Sequence, residues 1–283
     1  MKREKIKCTV CTHDASFYNK LSEVTLYYCA NCKHFFTDQD SIKNKEDYSP
    51  EYFTERHPSW FENPDLKLFD FIYKYIERFN FKSPSILDVG CGNGNFLKYL
   101  KKRSNNFSLT GIDYSKNSPE ENITFLSGDI FNADFKKEFD VIISLAVIEH
   151  IWSVRSYVLR LRQLCRKGGL IILMTPNNSS LLYGFARKIY HFGIKSPMEK
   201  LYDKHHLNHF SKNSLECLFK NCSLKVLENH ISQFNINSLS IPKSSLLMSI
   251  IYNFGLHFIF FVEKFFWKKH MQTIIASKAE KNE

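Results

Sequence analysis

The sequence of 283 residues predicts an α/β fold, a mostly parallel sheet covered by helices on both faces, with a small cysteine-bound segment ahead of it. Three observations carry that reading. From about residue 65, short apolar runs alternate with amphipathic ones, and buried strands alternating with helices build a parallel sheet. A glycine-rich loop, "GCGNG" at Gly90–Gly94, follows the first of these runs. Two CxxC pairs, "CTVC" and "CANC", stand within the first 40 residues, a length that rarely supports a core of its own.

The elements follow in chain order. Cys8 and Cys11 are separated from Cys29 and Cys32 by seventeen residues, the spacing of a four-thiolate zinc site. A two-residue gap lets both sulfurs of a turn point at one ion, and two such turns complete a tetrahedron. The strand-like "EVTLYYC" and the aromatic "KHFF" fit a zinc ribbon over residues 1–40. His13 and His34 read as bystanders, and Cys91, Cys165, Cys217 and Cys222 are scattered. Residues 41–64 are polar, carry three prolines and read as a linker, with Tyr48, Tyr52 and Phe53 free to drop onto the larger domain of residues 65–283.

Within that domain, Leu68, Phe69, Ile72, Tyr75, Ile76 and Phe79 recur at helical spacing. "SILDV" reads as a strand, "NFLKYLKKR" as a helix, and "SLTGID", "ITFLSGD" and "FDVIISLAV" as further strands. "VRSYVLRLRQLCRKGG" reads as a helix ending at its glycine pair, and "LIILMTP" as a strand stopped by Pro176. Ser211 is expected to cap the helix that follows it.

Composition bounds function loosely. The net charge of +10 is scattered, with no block of like charges, so it does not by itself point to an anionic partner. The charged "MKREKIKC" is followed by no apolar run, so a cytoplasmic location with reduced thiols is expected.

The chemistry concentrates at the strand ends. In such sheets ligands bind outside the carboxyl ends of the strands. Gly90, Gly92 and Gly94 fall between a strand and a helix, where they permit a tight turn and close approach of a ligand to the main chain. The spacing is G-x-G-x-G, with Asn95 where a dinucleotide fingerprint would carry its third glycine, so a pyrophosphate cradle is a poor match. Asp88 precedes the loop. Asp113, nineteen residues beyond Gly94, ends the next strand, where an acid accepts hydrogen bonds from a ribose diol. Asp129 ends the third and can take the exocyclic amine of an adenine.

"ILDVGCGNG", "GID", "SGDI" and "FDVIISLAVIEHI" resemble the successive motifs of class I S-adenosylmethionine-dependent methyltransferases. The resemblance covers roughly residues 84–177 and continues in "HHLNHFSKNSLECLF", "LKVLE" and "TIIASK". It implies a Rossmann-like sheet of seven strands with one antiparallel. It also implies that Asp88, Gly90, Gly92 and Gly94 hold the methionine end of S-adenosylmethionine, Asp113 the ribose, and Asp129 with Ile130 the adenine. Leu145 would line the methionine pocket. With the ribbon, the chain resembles bacterial methyltransferases of glycan and secondary-metabolite pathways.

His150, just past the fourth strand, is the expected general base, with a structural role at a helix start as the competing reading. The chain also resembles ubiquinone-pathway O-methyltransferases, whose Glu-x-x-Glu-His run is associated with a divalent ion. Here Ala146 replaces the first Glu, which argues against a catalytic metal. His206 and His209, three residues apart, could ligate a metal, but lining the acceptor pocket or making capping contacts is the expected role.

The function expected is O-methylation of a small-molecule, glycan or lipid-linked precursor. An RNA or protein methyltransferase recruited through the ribbon, or a non-catalytic binding module, are the alternatives. "SLAVIEH" stands where an amino-methylating "NPPY" run would lie, which argues against a nucleic-acid substrate. Residues 246–262 lack Asp, Glu, Lys and Arg. They read as part of a helical insertion or lid over 246–270, with peripheral membrane contact through 246–269 as the second reading.

Overall fold

The computed structural model describes residues 4–42, 62–115, 118–233, 255, 257–265 and 268–279. Tyr48, Tyr52, Phe53, Trp267 and all of 246–254 lie outside the described residues.

Four short strands open the chain, β1 (Lys5–Lys7), β2 (Asp14–Lys20), β3 (Thr25–Cys29) and β4 (His34–Thr37). Then come α1 (Leu66–Arg78), β5 (Ser85–Val89), α2 (Asn95–Arg103), β6 (Ser108–Asp113), β7 (Ile123–Ser127) and β8 (Phe139–Leu145). The second half holds α3 (Val154–Leu164), β9 (Cys165–Pro176), α4 (Leu181–Tyr190), α5 (Ser196–Leu201), β10 (Asn208–His209), α6 (Lys212–Asn221), β11 (Leu224–Ser232) and β12 (Met271–Lys278).

The large sheet has seven strands in the order β11-β12-β9-β8-β5-β6-β7. The five from β9 to β7 run parallel, and β12 is antiparallel to both β9 and β11. The expected seven-stranded sheet is therefore present. Side chains alternate between two cores, as a strand period of two requires. Leu170, Ile172 and Met174 of β9 pack with α1 and α2, whereas Ile171 and Leu173 pack with α3 and α6. Helix α1 shows why the pattern was readable. Leu68, Phe69, Ile72, Tyr75 and Ile76 form its buried stripe, and the Asp65 carboxylate caps its first turn by accepting from the amides of Lys67 and Leu68.

One boundary differs from expectation. Helix α3 ends at Leu164, not at the glycine pair, because Cys165 is already extended and pairs with Phe139 of β8. Gly168 then turns the chain at φ +70°. A Cβ on Gly169 would lie 2.8 Å from both the Asp140 carbonyl oxygen and the Cys165 sulfur.

The N-terminal strands form a second sheet, β1-β2-β3-β4-β10, whose last member comes from far along the chain. Asn208 and His209 pair antiparallel with Phe36 and Phe35. Tyr27 and Phe36 of this sheet share one apolar core with Phe210 and with Leu215 and Phe219 of α6.

Candidate active site

Strand β5 delivers the chain into the glycine loop. Gly90, Gly92 and Gly94 all have positive φ, at +74°, +53° and +76°. At two of them the neighbours also forbid a side chain. A Cβ on Gly90 would lie 2.3 Å from a methyl of Val147, and one on Gly94 would lie 2.6 Å from the Phe125 ring. The Gly90 amide donates to the Ile112 carbonyl at 2.8 Å, and the Gly92 amide donates to an Asp113 carboxylate oxygen at 2.9 Å. The other Asp113 oxygen accepts from the amide and hydroxyl of Ser115, at 2.9 and 2.7 Å. Asp113 thus ties the loop to the end of β6 while its remaining lone pairs stay available to a diol.

Asp88 lies beneath the loop and is buried. Burial, reinforced by the charge of Asp113, pushes its carboxyl up to about 8. Asp88 and Gly90 share a cleft with Asn93, Phe96, Leu145 and Met174, which α2 enters by its N-terminus. Asp129 and Ile130 sit at the next strand end, outside that lining. Gly128 links them to the site by donating to the Asp113 carbonyl at 2.9 Å. The Asp129 carboxylate accepts from the Phe131 amide at 3.0 Å. Burial and that carboxylate together push the neighbouring Tyr114 hydroxyl up to about 12. Ile130 is buried, and its carbonyl accepts from Arg160 at 3.0 Å.

The chain turns sharply after β8. Ala146 adopts φ +57°, uncommon for a residue with a Cβ, and its amide donates to the Met174 carbonyl at 3.0 Å. This turn brings Val147 over Gly90 and starts the 3-10 turn Ile148–His150. The His150 Nδ1 is 2.9 Å from the His205 carbonyl oxygen. A carbonyl only accepts, so Nδ1 carries the proton and the neutral ring keeps its lone pair on Nε2. The His206 ring is 4.9 Å from that of His150. Glu149 is buried, and one of its oxygens accepts from the Thr175 hydroxyl at 2.9 Å. Burial raises its carboxyl above the usual carboxylate range, against the opposing pull of His206. Burial works against the charge of Asp203 too, but His206 and the His205 and His206 amides hold its carboxyl at about 2.

Ligating atoms of Glu149, His150 and His206 lie within 4.8 Å of one another. His206 therefore joins His150. His209 does not, because it lies on β10 with its ring 4.4 Å from Tyr202, and burial pushes it well below the ordinary histidine range.

The four cysteines converge. Sulfur separations are 3.6 Å for Cys8–Cys32 and 3.5 Å for Cys11–Cys29, and all four lie within 4.8 Å of one another. Tetrahedral zinc with Zn–S near 2.3 Å places sulfurs about 3.8 Å apart. The thiols are buried against one another: Cys32 draws Cys8 down to about 5, while Cys8 and burial push Cys32 up. A divalent cation held by the four cysteines would resolve that conflict by stabilising every thiolate at once.

The N-terminal sheet reaches the turn Ile148–His150 through Asn208, a residue that sequence reasoning passed over. Its Nδ2 donates to the Ile151 carbonyl at 2.6 Å, so its Oδ1 must be the atom that accepts from His34 Nε2 at 3.1 Å and from the Thr9 hydroxyl at 3.2 Å. On either side, Leu207 accepts from the Thr37 amide at 2.9 Å and donates to the Glu149 carbonyl at 2.7 Å. The only hint of this in the sequence was the polar density of "HHLNH".

The profile of a family described as "Methyltransferase domain" matches residues 60–229, more than half of the chain. The chain is similar to the ubiquinone biosynthesis O-methyltransferase of Rickettsia typhi, 34% identical over 119 residues that make up 38% of this chain and 45% of that protein. The Rickettsia prowazekii protein of the same name is 33% identical over 119 residues, 38% and 44% of the two chains. The chain thus spans less than half the length of these curated relatives. Among solved structures it is similar to the 1,6-didemethyltoxoflavin-N1-methyltransferase of Burkholderia thailandensis, with TM-score 0.53, 12% identity, and coverage of 93% of this chain and 99% of that one. It is also similar to the phosphoethanolamine N-methyltransferase 2 of Haemonchus contortus, with TM-score 0.53, 14% identity, and coverage of 83% and 59%. At such identities these two likenesses speak for the fold alone. The sheet order, the glycine loop and the profile match converge: the chain belongs to the methyltransferase-domain family.

Proposed function

We propose that this chain is an S-adenosylmethionine-dependent methyltransferase that methylates a hydroxyl of a small-molecule acceptor, a glycan or lipid-linked precursor included. The observation that carries this is the bond between the Gly92 amide and Asp113, which joins the glycine loop to a diol-accepting carboxylate at the ends of adjacent strands. Asp88, Gly90, Gly92 and Gly94 would hold the methionine end of the cofactor, Asp113 its ribose, Asp129 and Ile130 its adenine, and Leu145 the methionine pocket. The O-methyltransferase names of the Rickettsia relatives support a hydroxyl acceptor. The sulfonium methyl is already activated, so the protein contributes mainly positioning, on the order of 7–11 kcal/mol. His150 would take the acceptor's proton on Nε2, with the His205 carbonyl holding the ring in that tautomer. Cys8, Cys11, Cys29 and Cys32 would hold one structural zinc.

Calorimetry with S-adenosylmethionine tests the cofactor reading, and Asp113→Ala should weaken binding by about 1–3 kcal/mol. Absence of binding by the folded chain refutes it. Cell extracts incubated with labelled cofactor then identify the acceptor by its gain of one methyl. His150→Ala should lower turnover by about 10²–10⁴-fold with cofactor affinity unchanged.

A second reading of His150 rests on the convergence of Glu149, His150 and His206. There His206 supplies the ligand that Ala146 lacks, and the three residues hold a divalent cation beside the acceptor. Under this reading turnover rises saturably with added magnesium or manganese, and Glu149→Gln abolishes the rise. Under the base reading neither happens.

A further inference from the structure

The helical residues 257–263 carry their apolar side chains on both faces. The inner face holds Phe260 and Glu263, both buried. Glu263 locks the helix rotationally. One carboxylate oxygen accepts from His270 Nδ1 at 2.6 Å and from Gln233 Nε2 at 3.3 Å, and the other accepts from the Leu182 amide at 3.3 Å. Gln233 also donates to the Phe260 carbonyl at 2.8 Å. At about 100° per residue the opposite face carries Phe258, Phe261 and, one turn on, Phe265. They are 60%, 57% and 71% exposed. Soluble helices turn such a stripe inward. Here the buried carboxylate holds it outward.

The charge around the stripe has one sign. Helix α4 begins against this segment, its Leu181 amide donating to the Lys268 carbonyl at 2.9 Å; it carries the exposed Phe185, and Phe192 just past its end is exposed too. Across residues 181–195, 257–265 and 268–269 the only acid is Glu263, and it is buried. The cations include Lys188, Lys264, Lys268 and Lys269. No helix among the described residues is long and apolar enough to cross a membrane. The surface also adjoins the carboxyl end of β9, where the Asn177 amide donates to the His270 carbonyl at 2.8 Å, the same end of the sheet as the glycine loop.

We propose that this face docks the protein peripherally on an anionic bilayer, with Phe258, Phe261 and Phe265 at the headgroup–acyl boundary and the neighbouring lysines on the anionic headgroups. Apolar area and positive charge are the two signals that together give stable interfacial binding. A protein partner would need acidic groups around an apolar groove, whereas an anionic lipid surface supplies both everywhere. The inference does not depend on which acceptor is methylated, and it brings the site end of the sheet to where a lipid-linked acceptor would lie.

Flotation of the full chain with vesicles tests this, using phosphatidylcholine alone and phosphatidylcholine containing one quarter phosphatidylglycerol. The protein should float with the anionic vesicles at low salt and be released at about 0.5 M salt, where exposed charges are screened. Phe258→Ser/Phe261→Ser/Phe265→Ser should lower partitioning by at least about tenfold. Lys264→Glu/Lys268→Glu/Lys269→Glu should lower it by about 10²-fold on anionic vesicles. Both variants should keep the wild-type melting temperature and cofactor binding, since none of these residues lies in the proposed cofactor site. Wild-type protein left in the soluble fraction at low salt, or a serine variant that floats equally well, overturns the proposal. So does a wild-type dimer that the serine variant converts to monomer without any vesicle binding, because the stripe would then meet a second copy.

Discussion

Replacing Asn208 with alanine removes a buried carboxamide that joins the ribbon to the catalytic turn. The loss can be worked from its partners. The His34 Nε2–H is buried and would lose its bond of 3.1 Å, and the part-buried Ile151 carbonyl would lose one of 2.6 Å. His34 is poorly placed to recover, since its Nδ1 is already without a hydrogen-bond partner. The Thr9 hydroxyl is part-buried and can turn to water. One buried donor left unsatisfied costs about 1–3 kcal/mol, while the part-buried groups can turn to water, so Asn208→Ala should destabilise by roughly 1–3 kcal/mol. With a urea slope of about 3 kcal/mol/M, the midpoint falls by roughly 0.3–1 M. The same variant loosens the residue after His150, so turnover should fall while cofactor affinity, set at β5 and β6, holds. Asn208→Asp separates the two halves. It keeps the acceptor for His34 and Thr9 but sets an oxygen against the Ile151 carbonyl, so it should lose turnover as the alanine does. An unchanged midpoint and unchanged turnover in Asn208→Ala would refute the coupling.

Three further outcomes follow from the same geometry. The purified chain should carry one zinc, and Cys32→Ser or a strong chelator should cut turnover as well as ribbon order, because β4 and β10 share a sheet; metal analysis against activity checks this. Asp88 in the folded protein titrates at about 8 against an ordinary 3.8, so the folded state holds a proton that the unfolded state releases; stability should fall as pH rises from about 4 to about 8 and level off above, and Asp88→Asn should flatten that decline in urea titrations. Gly90→Ala forces φ +74° on a residue with a Cβ, at about 1–2 kcal/mol, and drives that carbon into Val147; both cofactor binding and turnover should drop, and wild-type kinetics in this variant would discount the close approach.

Local pattern explains what was legible. "SILDV" and "NFLKYLKKR" became β5 and α2 with the expected ends, because each carries its own periodicity and a glycine turn between them. The end of α3 was misread because Arg166 and Lys167 continue a helix-like polar rhythm. What overrides it is long-range, the pairing of Cys165 with Phe139 and the tight contact of Gly169 on Asp140. The acids at the strand ends were visible because strand order alone places them. His206 beside Glu149, and Asn208 between ribbon and turn, were not. A two-residue strand has no period, and its partner lies about 170 positions away in the chain.

The N-terminal sheet and the turn of His150 meet at one buried side chain, Asn208, and this would give a zinc bound by the four cysteines a mechanical role. The first 40 residues are too few to build a core alone, so Tyr27 and Phe36 join the core of α6, and a metal-bound thiolate cluster would add the second anchor for β4. Strand β4 then pins β10, and β10 sets the level of Leu207, whose amide holds the Glu149 carbonyl. The opposite side of the same turn is fixed by Val147 against Gly90 and by Ala146 against β9. His150 is therefore clamped between the cofactor loop and the ribbon. A base that must meet an acceptor oxygen in line with a sulfonium methyl tolerates little displacement, and a misplacement of about 1 Å can cost about 10²-fold. The ribbon's contribution should accordingly appear in kcat and not in cofactor affinity. That split separates a ribbon that braces the catalytic turn from one that only recruits a partner, since recruitment would leave turnover on a free acceptor unchanged.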